Sequence, residues 1–574
     1  MEEKQKFKIC LTMAGAVSAG AFTAGVMDYL LETLDLWEKA KQKNIARGVT
    51  HADYDHSIPM HEVEIDVISG ASAGGITGAL TMLNLVDKDY RPVNKDNPQG
   101  KMNRFYQSWV EMADDDQSDT FEKMLAKDDL KKLKKGEKPE ALLNADPIDA
   151  IANNMLQLNQ LQEYPSYISP DLDLVLTTTN LRGINFQLDF GGYGKTGPMI
   201  TSHAGFFRYK LAHKDLPEGI PPGNELYYVL NLRNPRDMNY LKEATLSTAA
   251  FPIGLKSREV AISQEFISRY PNYLFGQQKG IRPLIKESSV YKFNSIDGGL
   301  INNEPFAVGL KVLREKNPAN LSDRYAVVMI DPFPNSDHDV EDENPRPDII
   351  TVAKGMFKAL RNQAMFNQDG ILDAIEGRDH TKFLIQPVRK LKVGKVMTPV
   401  KKQLASAPFS GFGGFMDKSF RLHDYHLGRL NCQAFLRYYF ALPEGEVASR
   451  LGREPHDLAK VRFAFNEKQF DVQSRNLFPI IPDLRVIKAR TNEMDHEKFG
   501  ADAQLDFMDF PVIAEADFNK RYKQKIKQRL EAVLNATIGN FWFKALNRLF
   551  IRKSVSNIII DAILKDFRES GQIR

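Results

Sequence analysis

Residues 63–86, VEIDVISGASAGGITGALTMLNLV, decide the fold. Residues 63–68 have the β-branched and apolar composition of a buried strand, 70–75 form a glycine-rich turn, and 76–86 form an apolar helix. The turn contains the pattern G-x-S-x-G, as Gly70-Ala71-Ser72-Ala73-Gly74. Glycines two residues either side of a serine allow a sharp elbow that lifts its hydroxyl clear of a sheet. The stretch therefore predicts an α/β fold with Ser72 as a candidate nucleophile, against the alternative of a glycine-rich turn that only packs closely.

A second strand–turn–helix unit is predicted at the amino terminus. Residues 7–13 have the composition of a buried strand, and apolar residues recur at helical spacing over 21–37. The turn Gly15 to Gly20 leaves free N–H groups at a helix start, which suit a phosphate or a developing oxyanion. Val17 stands where the dinucleotide fingerprint has glycine, and no P-loop ending follows, so nucleotide binding is disfavoured.

The same segment has an alternative interpretation as a targeting sequence. The run 9–27 carries no charge, Lys4, Lys6 and Lys8 precede it, and Ala14-Gly15-Ala16 is similar to a cleavage site. The run consists mostly of Ala, Gly, Ser and Thr, however, and is too weakly apolar to span a membrane. We therefore favour the strand–turn–helix unit.

A serine nucleophile needs a base, and the sequence offers a carboxylate and several histidines. Asp297-Gly298-Gly299 follows the strand-like run 291–296, which puts Asp297 at the carboxyl end of a strand, where α/β folds have their sites. An ordinary Asp-Gly turn is the alternative. A Ser-Asp-His order is also formally allowed, since six histidines follow: His338, His380, His423, His426, His456 and His496. His423 and His426 could bind a metal with Asp424, but such a pair more often caps or decorates a helix.

Composition limits the functional classes. The 574 residues are 43% hydrophobic and 26% charged, and the formal charge of +3 is too near neutral for a protein that neutralises many nucleic-acid phosphates. Cys10 and Cys432 have no metal-type spacing and cannot form a disulfide framework, so we expect a reducing, cytoplasmic compartment. We predict no metal, no cofactor and no nucleic-acid partner.

Together these segments resemble the patatin-like phospholipase family, in its bacterial type with a carboxyl-terminal extension. The resemblance rests on the loop 15–20 followed by 21–25, the elbow 70–74 and Asp297-Gly298-Gly299, in the family's order and spacing. Residues 174–180, LVLTTTN, and 244–252, ATLSTAAFP, are similar to two further family segments. The resemblance covers residues 5–335 and implies a three-layer α/β hydrolase with a central, mostly parallel sheet.

The resemblance also implies a mechanism. Ser72 would be the nucleophile and Asp297 its proton acceptor, in a Ser-Asp dyad that cleaves fatty-acyl esters of lipids through an acyl-enzyme. Because a carboxylate is a weak base, N–H donors to the oxyanion must contribute strongly. The expected donors are Gly15, Ala16, Val17 and Ala73, and the expected motif glycines are Gly20, Gly70, Gly74, Gly298 and Gly299. The loop Gly15-Ala16-Val17-Ser18-Ala19-Gly20 departs from the family, which usually has three glycines and a basic residue there.

The chain divides into two predicted parts. Residues 5–335 form the acyl hydrolase, with the polar, lysine-rich segment 88–170 inserted as a helical cap. Residues 336–574 form a mainly helical extension, with helix expected over 350–376. The aromatic and glycine-rich stretch 409–416 is either a mobile apolar loop or a buried turn, and we favour the turn.

For the last segment, 518–574, the sequence leaves two interpretations of equal weight, and the first is a basic tail that contacts a lipid membrane. It has 13 Lys and Arg against 4 Asp and Glu; this net charge of +9 leaves −6 for residues 1–517 out of the total of +3. Aromatic and basic residues mix over 541–553, which suits an interfacial helix. The alternative is a surface helix pair docked on the hydrolase. For the whole chain we predict a lipid acyl hydrolase; the alternatives are a non-catalytic lipid- or phosphate-binding protein and a Ser-His-Asp esterase.

Overall fold

The computed structural model describes most of the chain. The described residues are 6–158, 160–188, 198–213, 216–220, 226–269, 281–284, 290–317, 323–334, 380–393, 396–400, 402–467, 475–487, 505, 508–537 and 552–574. The predicted helix over 350–376, most of the run 541–553, His338 and His496 lie outside them. None of the described helices combines the length and apolar content needed to span a bilayer.

The described residues form fifteen strands and fifteen helices, besides short 3-10 and π-helical turns. The strands are β1 (Phe7–Met13), β2 (Val63–Gly70), β3 (Ile168–Leu188), β4 (Met199–Leu211), β5 (Tyr228–Leu230), β6 (Arg258–Ser263), β7 (Ile281–Pro283), β8 (Val290–Asp297), β9 (Tyr325–Ile330), β10 (Lys382–Ile385), β11 (Lys390–Val393), β12 (Val396–Pro399), β13 (Ala441–Pro443), β14 (Phe465–Glu467) and β15 (Arg475–Pro479). The helices are α1 (Gly20–Arg47), α2 (Ala73–Val86), α3 (Arg104–Tyr106), α4 (Thr120–Met124), α5 (Asp128–Lys131), α6 (Asp146–Met155), α7 (Pro235–Thr248), α8 (Gln264–Ser268), α9 (Phe306–Lys316), α10 (Lys418–Tyr438), α11 (Val447–Leu451), α12 (Asp457–Phe463), α13 (Glu515–Phe518), α14 (Gln524–Thr537) and α15 (Arg552–Glu569).

A ten-stranded mixed sheet forms the centre. Its strands β10-β9-β1-β2-β3 are parallel neighbours, whereas β4 and β8 pair with β3 antiparallel. The register aligns the carboxyl ends of the parallel strands, because Met13 of β1 pairs with Gly70 of β2 and with Ile330 of β9. The loops after β1, β2 and β9 therefore emerge side by side at one edge of the sheet.

Helices cover both faces of this sheet. A Cβ on Gly78 of α2 would lie 3.2 Å from Ile68 Cγ2, and a Cβ on Gly309 of α9 would lie 2.8 Å from Ser69 Oγ. Ile68 and Ser69 are consecutive in β2, so their side chains point to opposite faces. Burial on both faces explains why β2 reads as an apolar strand. The predicted α/β class is confirmed.

The sheet continues past the boundary predicted at residue 335. β10 pairs in parallel with β9 over Lys382–Ile385, so β9 is not the last core strand, and the predicted boundary divides one sheet. α10 packs along α1 at very short range, because a Cβ on Gly428 would lie 2.1 Å from the Phe22 carbonyl oxygen. The part after 335 also contains β10–β15 and is thus less purely helical than predicted.

The predicted cap, 88–170, contains the short helices α3–α6. Phe121 and Met124 of α4 share an apolar cluster with Phe518 and Tyr522 of the basic tail. Tyr522 also donates from its hydroxyl to the Asp119 carboxylate at 2.6 Å. The described beginning of the tail therefore docks on the cap.

Candidate active site

β2 leads directly into the elbow that carries Ser72. α2 begins at Ala73, and Ser72 has φ 52° and ψ −124°. Non-glycine residues rarely adopt positive φ, and such strain is concentrated at functional sites. The Ser72 N–H donates to Thr248 Oγ1 at 3.0 Å, which holds the turn. A Cβ on Gly74 would lie 2.2 Å from the Met13 carbonyl oxygen, so this glycine allows α2 to approach β1.

The Ser72 hydroxyl faces the Asp297 carboxylate. Ser72 Oγ donates to Asp297 Oδ2 at 2.5 Å, and both side chains are buried. Asp297 ends β8, and its other oxygen, Oδ1, accepts from the Gly299 N–H at 2.6 Å. Its main-chain N–H donates to the Ala250 carbonyl at 2.9 Å, so the carboxylate is fixed from both sides. The structure thus brings the two residues of the predicted dyad together.

Gly15 lies directly beside the elbow, since a Cβ there would be 2.9 Å from Ser72 Cβ. Its N–H, however, donates to the Asn303 carbonyl at 3.2 Å. The prediction of Gly15 as an oxyanion donor is therefore corrected, because its hydrogen is already used inside the protein. Gly15 contributes through its lack of a side chain, which leaves room for Ser72 and Asn303.

The other three predicted donors are available. The N–H groups of Ala16, Val17 and Ala73 have no acceptor within the described part of the chain. Ala73 is the first residue of α2, where the positive end of the helix dipole favours an anion. Val17 has φ 51°, an unusual conformation for a β-branched residue. Strain and free donors therefore occur together in the loop 15–20, hereafter the oxyanion loop.

Asn303 connects the oxyanion loop to the turn after Asp297. A Cβ on Gly15 would lie 2.3 Å from Asn303 Oδ1, and a Cβ on Gly299 would lie 2.6 Å from the same atom. The other predicted motif glycines are also packed too closely for a side chain; they are Gly20, Gly70 and Gly298. Close packing thus accounts for the glycines on both sides of the dyad.

An apolar cavity opens from Ser72. Its water-accessible volume is about 80 Å³, and its walls come from α2, α6, α7 and the segments that carry Trp109, Phe251 and Phe412. α6 belongs to the predicted cap 88–170, so the cap forms part of the wall. A pocket with so few polar groups suits an apolar ligand.

The described histidines make their contacts elsewhere. His423 Nδ1 lies 2.8 Å from Asp424 Oδ1, and burial lowers the pKa of His426 to about 4, helped by Arg429 and His423. His456 Nδ1 accepts from the Leu458 N–H. No described histidine lines the cavity or bonds to the elbow serine. In the described ranges, no group of three His, Cys, Asp or Glu is arranged to hold a metal.

Two carboxyl groups lie near the oxyanion loop, the buried Asp331 and the more exposed Glu304. Asp331 follows β9, whose last carbonyl, that of Ile330, accepts from the Ala14 N–H at 3.0 Å. Burial raises the pKa of Asp331 to about 7; the Phe333 N–H opposes this shift, and the charge of Glu304 adds to it. Burial also raises the pKa of Glu304. Asp331 makes no ion pair with any described residue.

Comparisons with known proteins place the chain beside a relative whose name states no activity. No family model matches it. The uncharacterized protein y4iI of Sinorhizobium fredii is 30% identical over 518 residues, which cover 83% of this chain and 71% of that protein. This chain belongs to the y4iI family. The crystal structure of VipD from Legionella pneumophila covers 74% of the y4iI-family chain and 67% of its own, with 11% identity and a TM-score of 0.19, too distant a likeness to support a conclusion.

Sequence reasoning missed several residues of this y4iI-family site. Thr248 lies in the segment 244–252, which is part of the resemblance to the patatin-like family, but that resemblance assigns this threonine no contact with the elbow. Phe412 lies in the segment 409–416, which was predicted as a buried turn and does form one wall of the cavity. No signal in the sequence indicates that Asn303 or Trp109 would contact glycines of the oxyanion loop, because those contacts join segments far apart in the chain.

Proposed function

We propose that this chain is a serine acyl hydrolase of the patatin-like phospholipase type, which cleaves fatty-acyl esters of lipids. The observation that carries the proposal is the 2.5 Å hydrogen bond from Ser72 Oγ to Asp297 Oδ2, made at a strained elbow beside an apolar cavity. A buried, oriented carboxylate next to a serine hydroxyl is the arrangement that activates a nucleophile.

The reaction has two steps. Ser72 Oγ attacks the ester carbonyl carbon while its proton passes to Asp297, and the alcohol leaves with that proton. Water then attacks the acyl-enzyme and gives a proton to Asp297, which returns it to Ser72 Oγ as the fatty acid departs. In both steps the oxyanion accepts from the N–H groups of Ala16, Val17 and Ala73. One such donor typically contributes about 3 kcal/mol to lowering the barrier, which compensates for a weak base.

The cavity supports a long apolar acyl group as the substrate's reacting part. Ser72 stands at its wall, and aromatic and aliphatic side chains form most of the rest. Each methylene transferred from water into such a site contributes about 0.8 kcal/mol. Binding energy from the chain can therefore orient the ester against the nucleophile.

Labelling by a fluorophosphonate tests the proposal, because this reagent forms a covalent bond only with an activated serine. We expect the wild type and the exposed-serine control Ser449→Ala to be labelled, and Ser72→Ala to remain unlabelled. Absence of labelling in folded wild type would favour the non-catalytic lipid- or phosphate-binding protein instead. Near wild-type turnover of a lipid ester by Asp297→Asn would favour a Ser-His-Asp esterase.

We further propose that the tail 518–574 contacts anionic membranes through its basic face. Lys520 and Lys523 are exposed beside the docked residue Tyr522. Each basic residue near an anionic surface contributes about 1 kcal/mol. Lys520→Glu with Lys523→Glu should weaken co-sedimentation with phosphatidylserine vesicles. Lys39→Glu with Lys43→Glu, an equal charge change on α1, should not; equal loss in both would oppose a specific face.

A further inference from the structure

The segment 405–416, ASAPFSGFGGFM, lies against the oxyanion loop from the far end of the chain. The Ser18 N–H donates to the Gly411 carbonyl at 3.1 Å. Ser18 Oγ accepts from the Gly414 N–H at 3.0 Å and also donates to the Gly411 carbonyl. Ser18 has no exposed surface. This one serine therefore holds the oxyanion loop to the segment 405–416 by three hydrogen bonds.

The backbone of the segment is strained where it meets the loop. Phe409, Ser410 and Gly411 have φ of 56°, 53° and 88°. Non-glycine residues in this conformation are strained and persist only where their surroundings fix them. At Gly411 a Cβ would lie 3.1 Å from the Ala16 carbonyl oxygen and 3.3 Å from Val17 Cβ, and the φ of 88° also favours glycine.

Residues of α10 and α15, and one residue just after α15, form hydrogen bonds with the segment. The Asp424 carboxylate accepts from the Ala405 N–H at 2.7 Å. Asp566, in α15, accepts from the Phe409 N–H at 2.5 Å. Gln572, just after α15, donates to the Ala405 carbonyl. A continuous set of hydrogen bonds thus runs from α15 through the segment 405–416 to Ser18.

We propose that the segment 405–416 positions the oxyanion loop through Ser18, so that the carboxyl-terminal helix helps to set the geometry of the active site. Ala16 and Val17, whose N–H groups have no acceptor among the described residues, immediately precede Ser18. Oxyanion donors contribute fully only within about 0.5 Å of their productive positions. Ser18 is therefore a positioning residue. This inference rests on the proposed acyl hydrolase function.

Ser18→Ala tests the inference in the full-length protein. With the hydroxyl removed, we expect kcat for a lipid ester to fall about 10- to 100-fold, while KM changes little because the acyl cavity is intact. Fluorophosphonate labelling should slow by a similar factor. The matched control is Ser169→Ala, which also removes a buried hydroxyl. Among the described residues, Ser169 Oγ accepts from the Asp171 N–H, and Ser169 lies near the start of β3. This control should leave kcat unchanged.

Asp566→Ala tests the link to α15 with a residue that touches no part of the site. We expect the same direction of change as in Ser18→Ala but a smaller fall in kcat. Lys565→Ala, an exposed neighbour on the same helix, is the control.

Hydrogen exchange of residues 14–20 separates this inference from the proposed function. We expect faster exchange in Ser18→Ala and Asp566→Ala than in the wild type and the controls. Unchanged exchange, or an active wild type with unchanged kcat in Ser18→Ala, would overturn the positioning role. A rise in KM alone would also overturn it, as that result indicates a damaged cavity. If the wild type were inactive but exchange were faster in the two variants, the hydrolase function would be overturned, whereas the positioning of the oxyanion loop by the segment 405–416 would stand.

Discussion

The buried polar groups at the two ends of the parallel strands differ in how fully they are paired. At the carboxyl end lie a serine at positive φ, N–H groups without an acceptor and a buried carboxyl group, Asp331, without an ion pair, as far as the described residues show. Toward the other end, Lys316 Nζ lies 2.7 Å from Asp66 Oδ1 and 3.2 Å from Asp173 Oδ2. Arg208 Nε adds a bond of 2.7 Å to Asp173 Oδ1.

The paired groups around Lys316 stabilise the fold, whereas the groups at the carboxyl end would take part in the proposed reaction. Burial alone would lower the pKa of Lys316, but Asp173, Asp66 and Asp171 outweigh it and raise that pKa. Lys316, Asp66, Asp173 and Arg208 each lie within 3.2 Å of an opposite charge, as the burial of ions requires. The strain and free donors at the carboxyl end lower stability, and the fold retains them where a reaction would use them.

The largest expected effect is the loss of activity in Asp297→Asn. The amide oxygen can keep the bond from the Gly299 N–H while its NH2 group donates to Ser72 Oγ. The amide cannot take the serine proton, so turnover of a lipid ester should fall by a factor of about 10² to 10⁴. The thermal midpoint should stay the same or rise, because a buried charge is removed. Steady-state kinetics and a thermal melt measure both quantities; a large fall in the midpoint would mean that Asp297 belongs with the stabilising group.

Lys316→Met should show the reverse pattern. Removing the ammonium leaves Asp66 and Asp173 with less compensation, and breaking such a buried pair costs about 3–5 kcal/mol. We expect the urea midpoint to fall while kcat of the remaining folded enzyme is unchanged. The control is Lys292→Met. Lys292 and its partner Glu259 are both exposed, so this substitution should leave the urea midpoint almost unchanged. Loss of kcat in Lys316→Met would join the two ends functionally.

Local sequence patterns were sufficient to predict the core of the site. The elbow around Ser72 and the position of Asp297 follow from strand, turn and helix signals within a few residues, and the parallel sheet then aligns their ends. The α/β class follows from the same alternation. These features depend on residues close together in the chain, which is why periodicity and turn chemistry indicate them.

Long-range contacts made the remaining features unpredictable. The oxyanion loop was expected to offer the Gly15 N–H, but the Asn303 carbonyl, 288 positions away, occupies it. The boundary at 335 was placed at an acidic, proline-containing stretch, although β10 returns to pair with β9. Ser18 carries no sequence signal, because its partners Gly411 and Gly414 are nearly 400 residues later. Pairing of distant segments leaves no periodic pattern to detect.

Asp331→Asn should produce a stability change that depends on pH. Folding raises the pKa of Asp331 from its ordinary value near 4 to about 7, so the folded state holds the proton more tightly than the unfolded state. The wild type therefore loses stability as pH rises from about 4 to about 7. The amide cannot ionise and can still accept from the Phe333 N–H.

We therefore expect Asp331→Asn to be more stable than the wild type at pH 8, with the difference shrinking by about 2 kcal/mol at pH 5. Urea unfolding at both pH values measures it. Glu304→Gln should move the transition to lower pH, because the charge of Glu304 contributes to the raised pKa. If the difference in free energy of unfolding between Asp331→Asn and the wild type did not depend on pH, Asp331 would not be a buried carboxyl group with a raised pKa.

The smallest expected effect is a change in acyl-chain preference in Phe412→Ala. The ring of Phe412 packs at 5.2 Å from Phe251 and 5.6 Å from Phe415, measured between ring centroids, and lines the cavity beside Ser72. Its removal lengthens the space available to the acyl chain. Since each added methylene contributes about 0.8 kcal/mol on burial, kcat/KM for longer esters should rise about fourfold per carbon relative to the wild-type optimum.

The chain-length profile, rather than total activity, is the decisive measurement, because Phe412→Ala also destabilises a core residue. Phe383→Ala is the matched control: its ring packs 4.9 Å from Phe440, away from the cavity, so it should lower stability without moving the profile. Phe412→Leu should give an intermediate shift. If the profile in Phe412→Ala matched that of the wild type, the acyl chain would not lie along this wall.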